Sequence, residues 1–215
     1  MYIPEHFRVR DNEAATAFMK ANPFAILVSC TGEGPFATHL PLAICDSGDQ
    51  VVLRGHVAKA NPHWRHLQEQ AECMTIFHGA HAYVSATNYE TRENVPTWNY
   101  GAVHAYGKAR VFQSAEELQS VLHTLIGTFE AAYAAQWEEQ NEAYRARMLS
   151  HIVGFEIAVT KIEGKLKLSQ NRTRGEQENV IASLGAADDT VVSGVAALMR
   201  KQGLGQCPVR EKGKE

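Results

Sequence analysis

Apolar and polar positions alternate with a period of two through most of this chain and switch to helical spacing in a few bounded stretches. FAILVSC (24–30), PFATHLPLAI (35–44) and VVLRGH (51–56) predict three strands, joined by the glycine turn TGEG and a turn at Ser47, Gly48 and Asp49. CMTIFHG (73–79) and AYVSA (82–86) predict two more. WNYGAVHAYGKARVF (98–112) reads as a long strand with glycines where a bulge or barrel corner sits. HIVGFEIAVTKIEG (151–164) is a further strand in which Val153, Phe155, Ile157 and Val159 alternate against their neighbours.

The helical stretches are marked by their caps. Asp11 caps a short helix through Ala21, with Ala14, Ala15, Phe18 and Met19 on one side, and Pro23 stops it. Asn61 followed by Pro62 starts a second helix, running to about Gln70. Ser114 with Glu117 forms a capping box that opens a helix striped by Leu118, Val121, Leu122, Leu125, Ile126 and Phe129. Another amphipathic helix is expected at 136–149, and two short ones near 175–185 and 189–202. Strands outnumber helices in the first two thirds, so the expected class is α+β: an antiparallel β-barrel with peripheral helices. It is read as a single domain over 1–205 with a mobile polar tail at 206–215.

Composition narrows the function classes. With 215 residues and 45% hydrophobic positions the chain can bury a core. A formal net charge of -3 supplies no global field for a polyanion, so any DNA contact has to be a local patch, for which Arg172, Arg174, Arg200 and Lys201 are the candidates. Cys30, Cys45, Cys73 and Cys207 are widely spaced without a C-x-x-C pair, which fits idle thiols in a reducing cytoplasm. No apolar run is long enough to span a membrane, and the N-terminus lacks the pattern of an export signal.

Three segments are candidates for chemistry. LRGHVAKANPHW (53–64) joins a strand end to a helix start and brings Arg54, His56, Lys59 and Asn61 beside helix-terminal amides, as a phosphate site requires; a strand-to-helix crossing with solvated basic residues has the same spacing. In VPTWNYGAVHAYG (95–107), Trp98, Tyr100, His104 and Tyr106 share one strand face and Asn99 the other; such a face either stacks a planar ring or fills a core or dimer contact. KIEGKLKLSQNRTR (161–174) is either recognition surface or a solvated loop. Ten histidines include the short-spaced pairs His63/His66 and His78/His81, but no metal signature accompanies them, so no metal site is assigned. Ser29, Cys30 and Ser85 lack a nucleophile elbow or paired base, and no catalytic residue is named.

The blocks MYIPEHF, PFAILVS, ATHLPL, GHVAKANPHW, AYVS, VPTWNYGAVHAYG, IVGFEI and GKLKLSQNR, in this order, resemble the PaiB-type family of FMN-binding split-barrel proteins, described as negative transcriptional regulators. The chain departs from the family pattern at Ala80 and Ala86, where prolines are expected, and at Asn88, where a tryptophan is. The resemblance implies a split-barrel homodimer holding FMN near the dimer seam. It makes Arg54, His56, Lys59 and Asn61 candidates for the phosphate and ribityl end, and Trp98 and Asn99 candidates for the ring end. Lys167, Ser169, Gln170 and Asn171 become candidates for contacts given across the seam. Related barrels also host FMN-dependent oxidoreductases and haem binders, which stand as alternatives to regulation.

Overall fold

A computed structural model describes residues 1–48, 50–69 and 72–206. Asp49 of the expected turn, Gln70 at the expected helix end and the tail from 207 lie outside the described residues. The chain divides into two compact units: the first comprises Met1, Arg10–His78 and Val103–Gly164, the second Tyr2–Val9, Gly79–Ala102 and the chain from Lys165 onward.

In the first unit, α1 (Asn12–Ala21) begins where the Asp11 carboxylate accepts from the Glu13 and Ala14 amides. β2 (Phe24–Thr31) and β3 (Gly34–Pro41) form the expected hairpin, paired from Phe24↔Pro41 to Thr31↔Gly34, with Gly34 at the positive φ its tight turn requires. The single strand expected over 35–44 is two. Pro41 has no N–H to continue the ladder, and the Leu42 amide turns back to Pro23 O at 3.0 Å. β4 (Ala43–Asp46) then pairs instead with β5 (Val51–Ala58). α2 (His63–Glu69) follows, with Asn61 Oδ1 accepting from the His63 amide as a cap.

β6 (Cys73–Val84), β7 (Thr97–Phe112) and β8 (Ile152–Lys167) each begin in one unit and end in the other. β6 merges the two strands expected over 73–86 into one continuous strand through Ala80, which keeps the backbone N–H that the proline expected there from the resemblance would lack. The sheet order is β3-β2-β6-β7-β8-β5-β4, with the two-residue β1 (Arg8–Val9) on β8. That path is open. No pairing among the described residues joins β3 to β4, so the expected closure of the barrel is corrected to an open split-barrel sheet.

Two close approaches fix the register around β8. A Cβ at Gly107 would lie 2.3 Å from Ala158 O, and one at Gly154 would lie 2.3 Å from a Phe112 ring carbon. Phe112 in turn packs with Leu118, Val121 and Leu125 of α3 (Ala115–Phe129) and with Leu149. The helix expected at 136–149 breaks into α4 (Tyr133–Glu139) and α5 (Glu142–Leu149), because the Asn141 side chain caps the second through the Ala143 amide.

In the second unit, α6 (Arg174–Gly185) and α7 (Thr190–Lys201) bury Val180, Ile181, Leu184, Val195, Ala196 and Met199 against Ala82, Val84, Tyr89 and Leu168. Thr173 and Glu176 close a reciprocal capping box at the start of α6, and Asp189 caps α7. No helix among the described residues is long and apolar enough to cross a membrane.

Candidate functional site

β5 alternates between a buried face, Leu53, Gly55 and Val57, and a half-buried face carrying Arg54 and His56. Arg54 stands opposite Glu156, whose carboxylate lies 3.5 Å from Arg54 Nε and 3.0 Å from Arg110 Nε. Arg54 Nε and His56 Nδ1 are shielded from solvent, and neither makes a hydrogen bond within the protein. Burial lowers the His56 pKa and favours the neutral ring. Gly154 faces His56 across the ladder.

Lys59 follows β5 directly. Its amide donates to His151 O at 2.8 Å, its carbonyl accepts from Trp64 Nε1 at 3.0 Å, and its side chain is exposed. Asn61 is occupied differently from the expectation of a ribityl contact. Its Nδ2 donates to Thr38 Oγ1 at 3.1 Å while its Oδ1 caps α2, so both ends of the amide serve the local fold. Next to it the fully buried His63 contacts Thr38 Oγ1 through Nδ1 at 2.8 Å and packs edge-on to Phe36. Burial, and then the neighbouring His66, push the His63 pKa down to about 4.

The second unit holds the remaining candidates. On β7, Trp98 is 51% exposed while Asn99 is 1% exposed, the alternation that the sequence predicts. The Trp98 indole lies against His81 and Tyr83, with ring centroids 5.5 and 6.4 Å away. The segment expected as recognition surface or loop over 161–174 starts instead as the end of β8, and only after Lys167 does it turn. Ser169 makes that turn at φ 65°, the left-handed region that a non-glycine residue seldom enters. Its hydroxyl is tied to the Asn99 amide at 2.9 Å. Gln170 folds back on the same turn, donating to Leu166 O at 2.5 Å and accepting from the Leu168 amide at 2.8 Å, so its amide group is also used locally.

Asn99 and Ser169, but not Trp98 or Gln170, line a cavity of about 210 Å³ together with His6, Tyr89, Thr97, Lys167, Asn171 and Arg172. Lys167 donates to Thr97 Oγ1 and, at 2.6 Å, to Trp98 O. Burial lowers its pKa, helped by the nearby charges of Lys165 and Arg172. Arg172 stacks 3.8 Å over the Tyr89 ring and donates to Asn94 Oδ1 at 2.7 Å. Tyr89 was not among the expected site residues, and Arg172 was expected in a surface patch. The only sequence signal for Arg172 is its place at the end of the GKLKLSQNR block.

The donor set at β5 suits a phosphate: a guanidinium and an imidazole, each with a shielded nitrogen that makes no hydrogen bond, project from one strand face, and a lysine follows. Among the described residues no group of three or more His, Cys, Asp or Glu is placed to hold a metal.

A split barrel decorated by helices is a fold found in flavin proteins. The structure superposes with a TM-score of 0.57 on a flavocytochrome from Azotobacter vinelandii, at 17% identity over 77% of this chain and 72% of that one. A FAD and heme binding protein from Mycobacterium smegmatis matches with a TM-score of 0.52, at 15% identity over 74% of this chain and 73% of that one. By sequence, residues 1–161 match the family described as "Putative FMN-binding domain", and the chain belongs to that family, with FMN as its cofactor. It is 37% identical over 201 residues to "Protease synthase and sporulation protein PAI 2" of Bacillus subtilis, covering 93% of this chain and 96% of the relative. An uncharacterized protein of Emericella nidulans is 28% identical over 229 residues, covering 91% and 90%.

Proposed function

We propose that this chain is an FMN-binding regulatory protein of the PaiB type, working as a homodimer in the cytoplasm, with the flavin phosphate held at the end of β5. The observation that carries the site is a pair of shielded nitrogens on one strand face, His56 Nδ1 without a hydrogen-bond partner and Arg54 Nε held only by its 3.5 Å ion pair with Glu156. An anionic phosphate satisfies both, with His56 in the tautomer that carries its proton on Nδ1, and the exposed Lys59 adds a further charge-assisted contact. Bound FMN supplies redox chemistry; the chain's own residues bind and orient it.

The regulatory part rests on the name of the Bacillus subtilis relative, which places that protein in protease synthesis and sporulation. Action through a protein partner is favoured over direct DNA contact. Of the four cations given to a DNA patch, Arg174 is paired with Glu178 at 2.7 Å, and Arg172 is half-buried over the Tyr89 ring rather than spread on the surface. Cys30, Cys45 and Cys73 are free thiols, in keeping with a reducing compartment, and burial raises the Cys73 pKa to about 12.

An absorption spectrum and an FMN titration of the purified protein test the reading. The expected result is a yellow protein that binds FMN at one site per chain. A haem-type spectrum, or failure to take up FMN, overturns it. Anaerobic reduction of the bound flavin by NADH or NADPH with turnover of an acceptor moves the conclusion to an FMN-dependent oxidoreductase. Salt-sensitive DNA binding restores the direct version of regulation.

A further inference from the structure

We propose that the cavity lined by Tyr89, Lys167 and Arg172 is a second anion site, built for the phosphate or carboxylate group of a small molecule other than the flavin. Three observations converge on it. The residues lining the cavity include two cations and no carboxylate. The polar partners of Lys167 are the neutral Thr97 hydroxyl and Trp98 carbonyl, and the Arg172 guanidinium lies 4.0 Å from its nearest carboxylate, on Glu176. The Tyr89 side chain is 7% exposed, and its hydroxyl is buried without a hydrogen-bond partner.

A buried hydroxyl without an acceptor, beside cations whose charge is little compensated, is costly unless something arrives to accept from it. An oxyanion does so. It takes the Tyr89 O–H, the donor capacity that Lys167 has left after two hydrogen bonds, and the guanidinium edge of Arg172. Ser169, held at φ 65° and pinned to Asn99, keeps the turn beside the cavity in one conformation. At about 210 Å³ the cavity is smaller than the pockets that enclose drug-sized ligands, so it suits one anionic group with little attached rather than a whole flavin. The distinction from the flavin rests on the proposal that β5 holds the FMN phosphate, because FMN carries only one.

The test is calorimetric titration of inorganic phosphate, and separately of succinate, into the full chain saturated with FMN. Saturable binding of either anion at one site per chain is expected, with the better of the two naming the group. Arg172→Gln and Lys167→Met should each weaken it by roughly tenfold or more. Asn171→Asp, an exposed change at the cavity edge that leaves the packing alone, should weaken it too, which keeps the test sound if the other variants fold poorly. Arg172→Gln should leave FMN affinity unchanged. Absence of saturable anion binding, equal affinity in Arg172→Gln and Asn171→Asp, or loss of the site on FMN saturation overturns the proposal. If the chain takes up no FMN, the same titration on the unliganded protein separates the two readings: anion binding that survives Arg54→Met and falls in Arg172→Gln leaves the second site standing while the flavin site falls.

Discussion

The two basic regions of this molecule handle positive charge in opposite ways. At β5, Arg54 shares the Glu156 carboxylate with Arg110, so its charge is compensated before any ligand arrives. Around Lys167, the ammonium is set among a hydroxyl and a carbonyl, and Lys165 lies within reach of the Tyr2 carbonyl and the faces of the Tyr2 and Tyr100 rings. A compensated cation keeps its place and gives direction to a ligand; an uncompensated one raises the local potential and attracts charge. Similar residue types thus sit in two opposite electrostatic settings.

The largest effect expected from breaking this contrast is on flavin binding. Arg54→Met should cost roughly 1.5–3 kcal/mol of FMN affinity, the worth of a charge-assisted phosphate contact, read by flavin fluorescence titration. Unchanged affinity would place the phosphate elsewhere. Ser169 tests the rigidity of the other region. Ser169→Gly and Ser169→Ala both lose the hydroxyl bonded to Asn99, but only glycine relaxes at positive φ, so the alanine variant should be less stable by about 1 kcal/mol in urea denaturation. Equal midpoints would mean that the turn carries no conformational cost.

A smaller effect sharpens the role of Glu156. Glu156→Gln removes the carboxylate beside Arg54, and FMN binding should tighten by a few-fold, at the cost of a few tenths of a kcal/mol in stability for the lost exposed pair with Arg110. The pH dependence of stability separates the β5 neighbourhood in another way. His63 has its folded pKa lowered to about 4, below its unfolded value, so its contribution is complete above about pH 6.5 and is lost as pH falls from there toward 4. Thermal melts across that window should show a declining Tm, and His63→Gln should flatten the decline.

Much of the fold was legible because local signals agreed with it. Asp11, Asn61 and Ser114 sit at the helix starts that their side chains suggest, and the Trp98/Asn99 alternation follows from strand pleating. Three features were not legible. The strand over 35–44 ends at Pro41 because Leu42 turns back to Pro23, a pairing between distant residues; β6 runs through Gly79 and Ala80 without a turn; and the barrel stays open. In the candidate site, the residue types were readable but their engagement was not. Asn61 and Gln170 look like ligand contacts in a motif, yet Asn61 spends its amide on the Thr38 hydroxyl and the His63 amide, and Gln170 on the backbone of Leu166 and Leu168.

The caps, the strand faces and the family with its flavin are readable from the chain alone, since each depends on residue type at short range or on ordered blocks of them. Which polar groups have partners depends instead on long-range packing. Tyr89 and Arg172 stand 83 positions apart in the chain, and nothing local reports that one ring stacks beneath the other's guanidinium or that the Tyr89 hydroxyl is left without an acceptor. Whether a buried group is satisfied is a property of everything packed around it, and that surrounding exists only once distant segments have met.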